Sequence, residues 1–499
     1  MSYRTYNRGE GWSPDRISRL TRDAGIVLIG GIILGLFATV ASAYSVVAVV
    51  VTAALITIVV WRFETTLLIY VLIAFIPLGE SPSVAVGGSG VGKGLNISET
   101  MLAFLLCVWL VRYLLLTLPM DRLRSGFHVP ILLYLLYSVL NVIHSFIFWD
   151  AHVNRNYQYP QVNAAELALR VLSAGAFVMV ATTVSSAKWV KWITYAALAA
   201  GVYNLLINLA PGDVTRLAAP RWAFLVLLPA CYGWAMVLSP EKRWWLRLAG
   251  FAVTALSIFV ILVQGVSWIS GWLGLFVALG AVTFVKNRNV FVAALAVIAL
   301  AAFIAWPFIQ TEVIAGSQKE GDYDRFALFA GAWKYATNFP LGVGIGNYRS
   351  YNSFYYGDEW GTKSYTSAHG TYSQHLSEMG IPGTVLLISI LVGGCMWLIR
   401  SYRELPPGLS KTYLLATIGQ LVGVSVASTI GDYIIPTYHN GGIGCFSGSV
   451  YSWLFWGLAV AHVRIARSEQ AKATAEPEPP DVDAIPASPP IDALPGGRD

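Results

Sequence analysis

From residue 24 to residue 462 the chain alternates long apolar runs with short polar breaks. Runs such as AGIVLIGGIILGLFATVASAY, from Ala24, approach the roughly 20 apolar residues that a helix needs to cross a hydrocarbon core of ~30 Å. The pattern predicts an all-α, polytopic membrane protein of about fourteen transmembrane helices. The predicted spans are residues 24–43, 45–61, 65–79, 99–117, 129–149, 164–183, 192–210, 221–239, 248–265, 268–285, 289–309, 381–399, 412–432 and 440–462.

Composition and charge agree with a membrane protein. Apolar residues make up 56% of the 499 positions and charged residues only 12%, which is unlike a soluble globular chain. Most of the 33 Lys and Arg residues fall in alternate loops if the N-terminus lies in the cytoplasm, as the positive-inside rule requires. The net charge of +6 therefore reports topology, and no nucleic-acid partner is expected.

The predicted spans divide the chain into five parts. Residues 1–23 form a cytoplasmic segment, residues 24–309 hold helices 1–11, and residues 381–467 hold helices 12–14. Residues 310–380 form a large extracytoplasmic loop. Residues 468–499 are rich in Pro, Ala and acidic residues, which predicts a disordered cytoplasmic tail. Four cysteines, at positions 107, 231, 395 and 445, lack CxxC spacing and are expected to pack in the membrane core.

The loop of residues 310–380 carries most of the unusual chemistry. It is dense in aromatic residues, and RFALFAGAWKYA, Arg325–Ala336, spaces apolar residues as one face of a helix that would lie along the membrane surface. Pro340 should end that helix, and the glycines of FPLGVGIGNY, Phe339–Tyr348, allow tight turns or close approach to a ligand. TSAHGTYSQHLSEMGIPG, Thr366–Gly383, then begins a helix that leads back to the membrane.

These motifs carry a family resemblance. Arg325, an aromatic-rich helix, FPLGVGIGNY and then AHGTYSQHLSEMGIPG, Ala368–Gly383, together resemble the O-antigen ligase and polymerase superfamily, whose members are multi-spanning envelope enzymes with a large periplasmic loop. The chain departs from the family pattern at two places. Gly370 follows the loop histidine where the family usually has Asn, and GVSWISGWLGLF, residues 265–276, lacks the Arg that relatives often carry there.

The resemblance implies a reaction that needs neither metal nor any other cofactor. A glycan would pass from a polyprenyl-diphosphate carrier to an acceptor hydroxyl at the outer face of the bacterial cytoplasmic membrane, with inversion at the anomeric carbon. His369 is the expected general base, since a pKa near 6.5 suits proton removal. Arg325 and Arg216 are the expected diphosphate clamps and Arg221 is a weaker candidate, because a guanidinium can hold phosphate oxygens in pairs.

Other residues of the region have competing interpretations. Tyr348, Tyr365 and Tyr372 could stack on sugar rings or belong to an interfacial aromatic belt. His375 is six residues after His369, which rotates it away on an unbroken helix, so a structural role is expected. Glu378 is expected to be an acid on the helix surface.

Structural roles also compete for the cations and for the buried polar residues. The guanidinium of Arg325 could pair with the neighbouring Asp322 or Asp324, and His369 could be an ordinary hydrogen-bonded loop histidine. Arg170, Glu166 and His144 lie in or near predicted spans, where ionisable groups should face a cavity or each other.

The expected partners are the lipid-linked glycan, an acceptor glycan or lipid A core, the bilayer, and other polysaccharide assembly proteins. A ligase, a polymerase and a protein oligosaccharyltransferase remain open alternatives. Two other classes also remain: a transporter or flippase of lipid-linked glycans, which would place polar groups near the bilayer midplane, and a non-catalytic subunit of an envelope assembly complex.

Overall fold

The described part of the chain is helical throughout. The computed structural model describes residues 62–75, 97–116, 120–154, 159–209, 225–264, 268–308, 310–311, 322–356, 367–441, 446 and 448–475, and within these ranges no residue is in a strand. The helices of eight or more residues are α1 (Phe63–Phe75), α2 (Ile97–Leu116), α3 (His128–Ile147), α4 (Tyr159–Thr183), α5 (Ala187–Asn208), α6 (Leu227–Val237), α7 (Trp244–Gln264), α8 (Ile269–Lys286), α9 (Arg288–Ile304), α10 (Asp322–Asn338), α11 (Thr371–Glu378), α12 (Gly380–Glu404), α13 (Leu409–Ala427) and α14 (Val450–Ala475).

Seven helices in these ranges are long and apolar enough to cross a membrane: α3, α4, α5, residues Trp244–Ile261 of α7, α8, α12 and α13. Shorter apolar helices occur at Phe63–Leu72, Met101–Leu114, Leu227–Val237 and Arg288–Leu300. The protein is therefore a multi-pass membrane protein, and the total of about fourteen spans stays a prediction. The first two predicted spans, residues 24–43 and 45–61, lie outside the described residues.

Small residues let the membrane helices approach closely. A Cβ added to Gly423 of α13 would lie 2.5 Å from the Gly274 carbonyl oxygen of α8, and one on Gly419 would lie 2.8 Å from the Ala278 carbonyl oxygen. Both pairs are spaced by four residues, so one face of each helix is made of small side chains. This is the small-residue packing that membrane helices use where the hydrophobic effect cannot drive their association.

The last helix differs from its prediction. A span over residues 440–462 was expected, but Tyr438–Gly441 forms a separate short helix and α14 begins only at Val450. Four glycines at positions 441, 442, 444 and 448 explain the late start, because glycine is a poor helix former. The helix then continues to Ala475 through the alanine-rich residues 466–475, so residues 468–475 of the predicted tail are helical.

The predicted surface helix is present as α10, and it has two apolar faces. Leu328, Ala332 and Tyr335 are buried against the protein, whereas Phe329 and Trp333 are 49% and 61% exposed. The exposed pair belongs to the face that the sequence assigned to the membrane surface. The helix ends at Asn338, shortly before Pro340.

Candidate functional site

The segment after α10 folds into a series of glycine turns against the helical bundle. Gly342, Gly344 and Gly346 have φ values of 84°, 95° and 81°, which only glycine adopts readily. Space also demands glycine at two of these positions, since a Cβ on Gly344 would lie 2.2 Å from the Ser145 Cβ of α3 and one on Gly342 would lie 2.2 Å from the Glu378 carbonyl oxygen. The prediction of tight turns at these glycines is confirmed, and close approach to a ligand stays a prediction.

Backbone hydrogen bonds join this segment to the end of α11. The Val343 amide donates to the Ser377 carbonyl at 3.0 Å, and the Gly344 amide donates to the Glu378 carbonyl at 2.8 Å. Orphan carbonyls at the helix end thereby gain partners. The two motifs, far apart in sequence, form one unit.

Two buried asparagines of the membrane helices hold the same segment. Asn141 of α3 accepts from the Ile345 amide at 2.9 Å and donates to the Leu341 carbonyl at 3.0 Å. Asn163 of α4 donates to the Ile345 carbonyl and, at 3.3 Å, to the Asn347 side chain. Sequence reasoning missed both residues, although an amide inside a predicted span is a signal worth following, because membrane burial makes an unpaired polar group costly.

A buried ionic cluster lies beneath the turns. Arg170 of α4 lies 2.9 Å from the Glu166 carboxylate and 3.7 Å from the Glu378 carboxylate, and all three side chains are at most 1% exposed. Glu378 also accepts from the Tyr348 amide at 3.3 Å, and Glu166 accepts from the Tyr438 amide at 2.7 Å. The expectation that the ionisable groups Arg170, Glu166 and His144 face a cavity or each other is met for Arg170 and Glu166. The expectation of a surface acid at Glu378 is wrong, because Arg170 compensates its burial.

One guanidinium in this cluster faces two carboxylates. Burial raises the pKa of Glu378 to about 8, and the nearby Glu166 charge adds to that rise, while Arg170 and backbone amides oppose it. A protonated Glu378 leaves Arg170 and Glu166 as a neutral pair. The cluster therefore carries no net charge when Glu378 holds its proton.

His375 is a buried structural residue, as its sequence position predicted. Its Nδ1 donates to the Thr371 carbonyl at 2.7 Å, so Nε2 accepts from the Tyr134 hydroxyl at 2.6 Å. Burial, and to a smaller extent the nearby Arg170 charge, lower the pKa of His375 to about 3. His375 is neutral at physiological pH and is not available as a base.

His369 occupies a strained position just before α11. It has a φ of 45° and is the only non-glycine residue in the described ranges with a positive φ. Such residues cost energy and cluster at functional sites. The side chain is only partly buried, unlike that of His375.

The backbone on both sides of His369 is fixed by hydrogen bonds. Ala368 donates its amide to Gln374 Oε1 at 2.7 Å, and the Ser373 hydroxyl donates to the Ala368 and Gly370 carbonyls at 3.1 Å each. The Thr371 amide donates to the carbonyls of Ser428 and Gly431, both at 3.1 Å, in the loop after α13. His369 is thus presented by a rigid frame.

The structure gives a reason for the glycine that follows His369. A Cβ on Gly370 would lie 2.7 Å from the Ser373 hydroxyl oxygen and 3.0 Å from the Thr429 carbonyl oxygen. The Asn of the family pattern would therefore not fit without a shift of Ser373 or of the loop. Glycine at position 370, in place of the family's Asn, therefore allows this close packing.

The region that lacks the family arginine is occupied by hydrogen-bonded polar groups. Trp268 donates from Nε1 to the Tyr433 hydroxyl at 2.9 Å, and that hydroxyl lies 2.5 Å from the Ser270 hydroxyl. Tyr433 belongs to the same loop as Gly431, which binds Thr371. In the sequence, the only signal from this region was the absence of the family arginine, which did not predict these hydrogen bonds.

Of the remaining predicted site residues, only Tyr348 and Tyr372 have described side chains. Arg216, Arg221 and Tyr365 lie outside the described residues, and for Arg325 only its place in α10 is described. Tyr348 is 1% exposed and packs against Tyr335, with ring centroids 5.8 Å apart. Tyr372 is partly buried and donates its hydroxyl to the Ser425 carbonyl at 2.9 Å. Tyr348 and Tyr372 both contribute to the packing of this region in the present conformation.

Comparison with known proteins adds a family match. Residues 269–388 match the family model described as O-antigen ligase, and this supports the resemblance found from the motifs. The matched stretch runs from α8 into α12 and so contains His369, the glycine turns and Glu378. No curated protein matches the chain.

Proposed function

Because residues 269–388 carry the O-antigen ligase domain, we propose that this membrane protein transfers a glycan from a polyprenyl-diphosphate carrier to an acceptor hydroxyl. The reaction takes place at the outer face of the bacterial cytoplasmic membrane. The acceptor is a growing surface polysaccharide or a lipid A core, as in polymerases and ligases. The single observation that carries the proposal is the strained, rigidly framed His369 inside the matched domain.

His369 acts as the general base in this proposal. Its imidazole takes the proton from the acceptor hydroxyl as the acceptor oxygen forms a bond to the anomeric carbon. The bond between that carbon and the diphosphate oxygen breaks, and the lipid diphosphate leaves with the electron pair. A positioned base of this kind contributes about 10²- to 10⁴-fold to a rate.

Arginine side chains hold the leaving diphosphate. We assign this role to Arg325 and Arg216, with Arg221 as the weaker candidate, because a guanidinium stays charged and binds phosphate oxygens in pairs. Arg170 is not a candidate, since its guanidinium is buried between Glu166 and Glu378. Stacking of sugar rings is assigned to Tyr365 and Tyr372, whereas Tyr348 is buried and packs against Tyr335.

The frame around His369 supports this role. A base that removes a proton in the transition state must be held close to its target, and a displacement of about 1 Å can cost a hundredfold in rate. The bonds from Gln374, Ser373 and Thr371 provide that rigidity.

Turnover by the purified protein tests the proposal. The full chain in detergent or proteoliposomes is mixed with a polyprenyl-diphosphate-linked oligosaccharide and either a second lipid-linked repeat or a lipid A core. The expected result is a glycan joined to one acceptor, with free polyprenyl diphosphate released in equal amount. Movement of the lipid between leaflets without any new glycosidic bond would contradict the proposal and indicate a flippase.

A further inference from the structure

A basic cleft lies at the last turn of α4, away from the cluster of Glu166, Arg170 and Glu378. The cleft has a volume of about 480 Å³, and the polar residues that line it include Arg62, Glu64, Arg112, Arg122, Thr183 and Ser185. Thr183 and Glu166 belong to the same helix, and at 1.5 Å per residue they are about 25 Å apart. The cleft is thus separate from the candidate transferase site.

The charges in the cleft are unequal. Three arginines line it against one carboxylate, Glu64, which accepts hydrogen bonds from the Ser185 amide at 3.1 Å and hydroxyl at 2.8 Å. Arg122 donates one bond, at 2.9 Å, to the Thr182 carbonyl at the end of α4. A guanidinium has five donors, so this bond does not exhaust it.

A second observation points to a bound acceptor of hydrogen bonds. The Thr183 hydroxyl oxygen is buried, yet it has no hydrogen-bond partner in the described part of the chain. Native proteins rarely leave such groups unsatisfied, and a bound ion or ligand can supply the missing partner. A phosphate oxygen in the cleft would accept from this hydroxyl and from the arginines.

The aromatic residues of the cleft indicate that it lies at the level of the lipid headgroups. Trp109 donates from Nε1 to the Thr182 hydroxyl at 2.9 Å, and Trp189 lies half-buried near the start of α5. Tryptophans gather where membrane helices meet the headgroup layer. Basic pockets between helices at that level bind anionic lipid headgroups.

We propose that this cleft binds the phosphate of an anionic phospholipid headgroup, with Arg62, Arg112 and Arg122 as its cationic ligands. A phospholipid headgroup and free inorganic phosphate would both present a phosphate anion to these arginines. A lipid is favoured over free phosphate because the site combines arginines with Trp109 and Trp189 at the ends of membrane helices. The inference does not depend on the transferase activity.

Lipid retention by the full-length protein tests the inference. Detergent-purified protein is titrated with phosphatidylglycerol, with phosphatidylcholine or with inorganic phosphate, and bound lipid and thermal unfolding are measured. We expect phosphatidylglycerol to bind and to raise the unfolding temperature. The variant Arg62→Gln/Arg112→Gln should bind it at least about tenfold more weakly, since each cation near the headgroup layer adds to lipid affinity.

The control removes the same charge from the same end of the bundle. Lys188 and Lys191 are exposed near the start of α5 and do not line the cleft, so Lys188→Gln/Lys191→Gln should keep wild-type binding. Equal binding of both phospholipids, or equal losses in the two double variants, would overturn the inference and leave only the general positive charge of a cytoplasmic face. Binding of inorganic phosphate but not of phosphatidylglycerol would overturn the assignment to a lipid.

Discussion

At the scale of single residues, Glu378 connects the glycine turns to the membrane helices. Its carboxylate faces Arg170 and accepts from the Tyr348 amide, while its carbonyl accepts from the Gly344 amide. Sequence could not predict this, because the burial of an acid depends on a cation contributed by a distant helix. A structural role for His375 was predicted from its rotation away from His369 on one unbroken helix, but α11 begins only at Thr371, so the role follows instead from the burial of His375 and its bond to Tyr134.

The raised pKa of Glu378 predicts a pH-dependent stability. Between the ordinary glutamate pKa of 4.5 and about 8, the folded state holds a proton that the unfolded state releases. The free energy of unfolding should therefore fall as pH rises through this window, by at most about 1.4 kcal/mol per pH unit. Glu378→Gln, which mimics the protonated acid, should remain folded and flatten this dependence in thermal unfolding between about pH 5 and 8.

The matched control is Glu404→Gln, since Glu404 is half exposed and pairs with Arg467 at the surface. That variant should keep the wild-type slope. An unchanged slope in Glu378→Gln would show that Glu378 is ionised in the folded protein across the window.

At the scale of elements, the glycine turns and α11 act as one unit. The spacing of glycines predicted turns, and the apolar periodicity of Arg325–Ala336 predicted the helix α10, because both signals are local. The packing of these turns against Asn141 and Asn163 depends on contacts between residues distant in sequence, so it could not be predicted from any local pattern. The late start of α14 has a local cause, the glycines before Val450. The prediction missed it because residues 440–462 are apolar enough on average to read as one span.

Gly344→Ala should destabilise this unit. The new methyl group would meet Ser145 at 2.2 Å, and alanine would have to adopt a φ of 95°. Strain in such a backbone region costs about 1–3 kcal/mol before the clash is counted. Thermal unfolding and hydrogen exchange of the segment would measure the loss. Gly408→Ala is the control, because no atom lies within 4 Å of its added Cβ, and a comparable loss there would refute the packing argument.

At the scale of the whole molecule, the described helices carry different chemistry at their two ends. The first half of α4 holds Glu166 and Arg170, which face Glu378 of α11, and the last turn of α4 meets the arginine cleft. The apolar pattern predicted the helices, and the motifs predicted the segment that carries His369. Positive charges were predicted to collect on one side, but their convergence into a cleft depends on how helices distant in sequence pack together.

The central claim, that His369 is the base of a glycan transfer, is tested most directly by the turnover of His369→Asn. Asparagine tolerates a positive φ and cannot act as a base, so the frame should survive while the rate falls about 10²- to 10⁴-fold. His152→Asn is the control, because that histidine is exposed and pairs only with Asp150 among the described residues. The account predicts full activity for the control and near loss for His369→Asn at unchanged unfolding temperature. Wild-type turnover by the folded His369→Asn protein would contradict it.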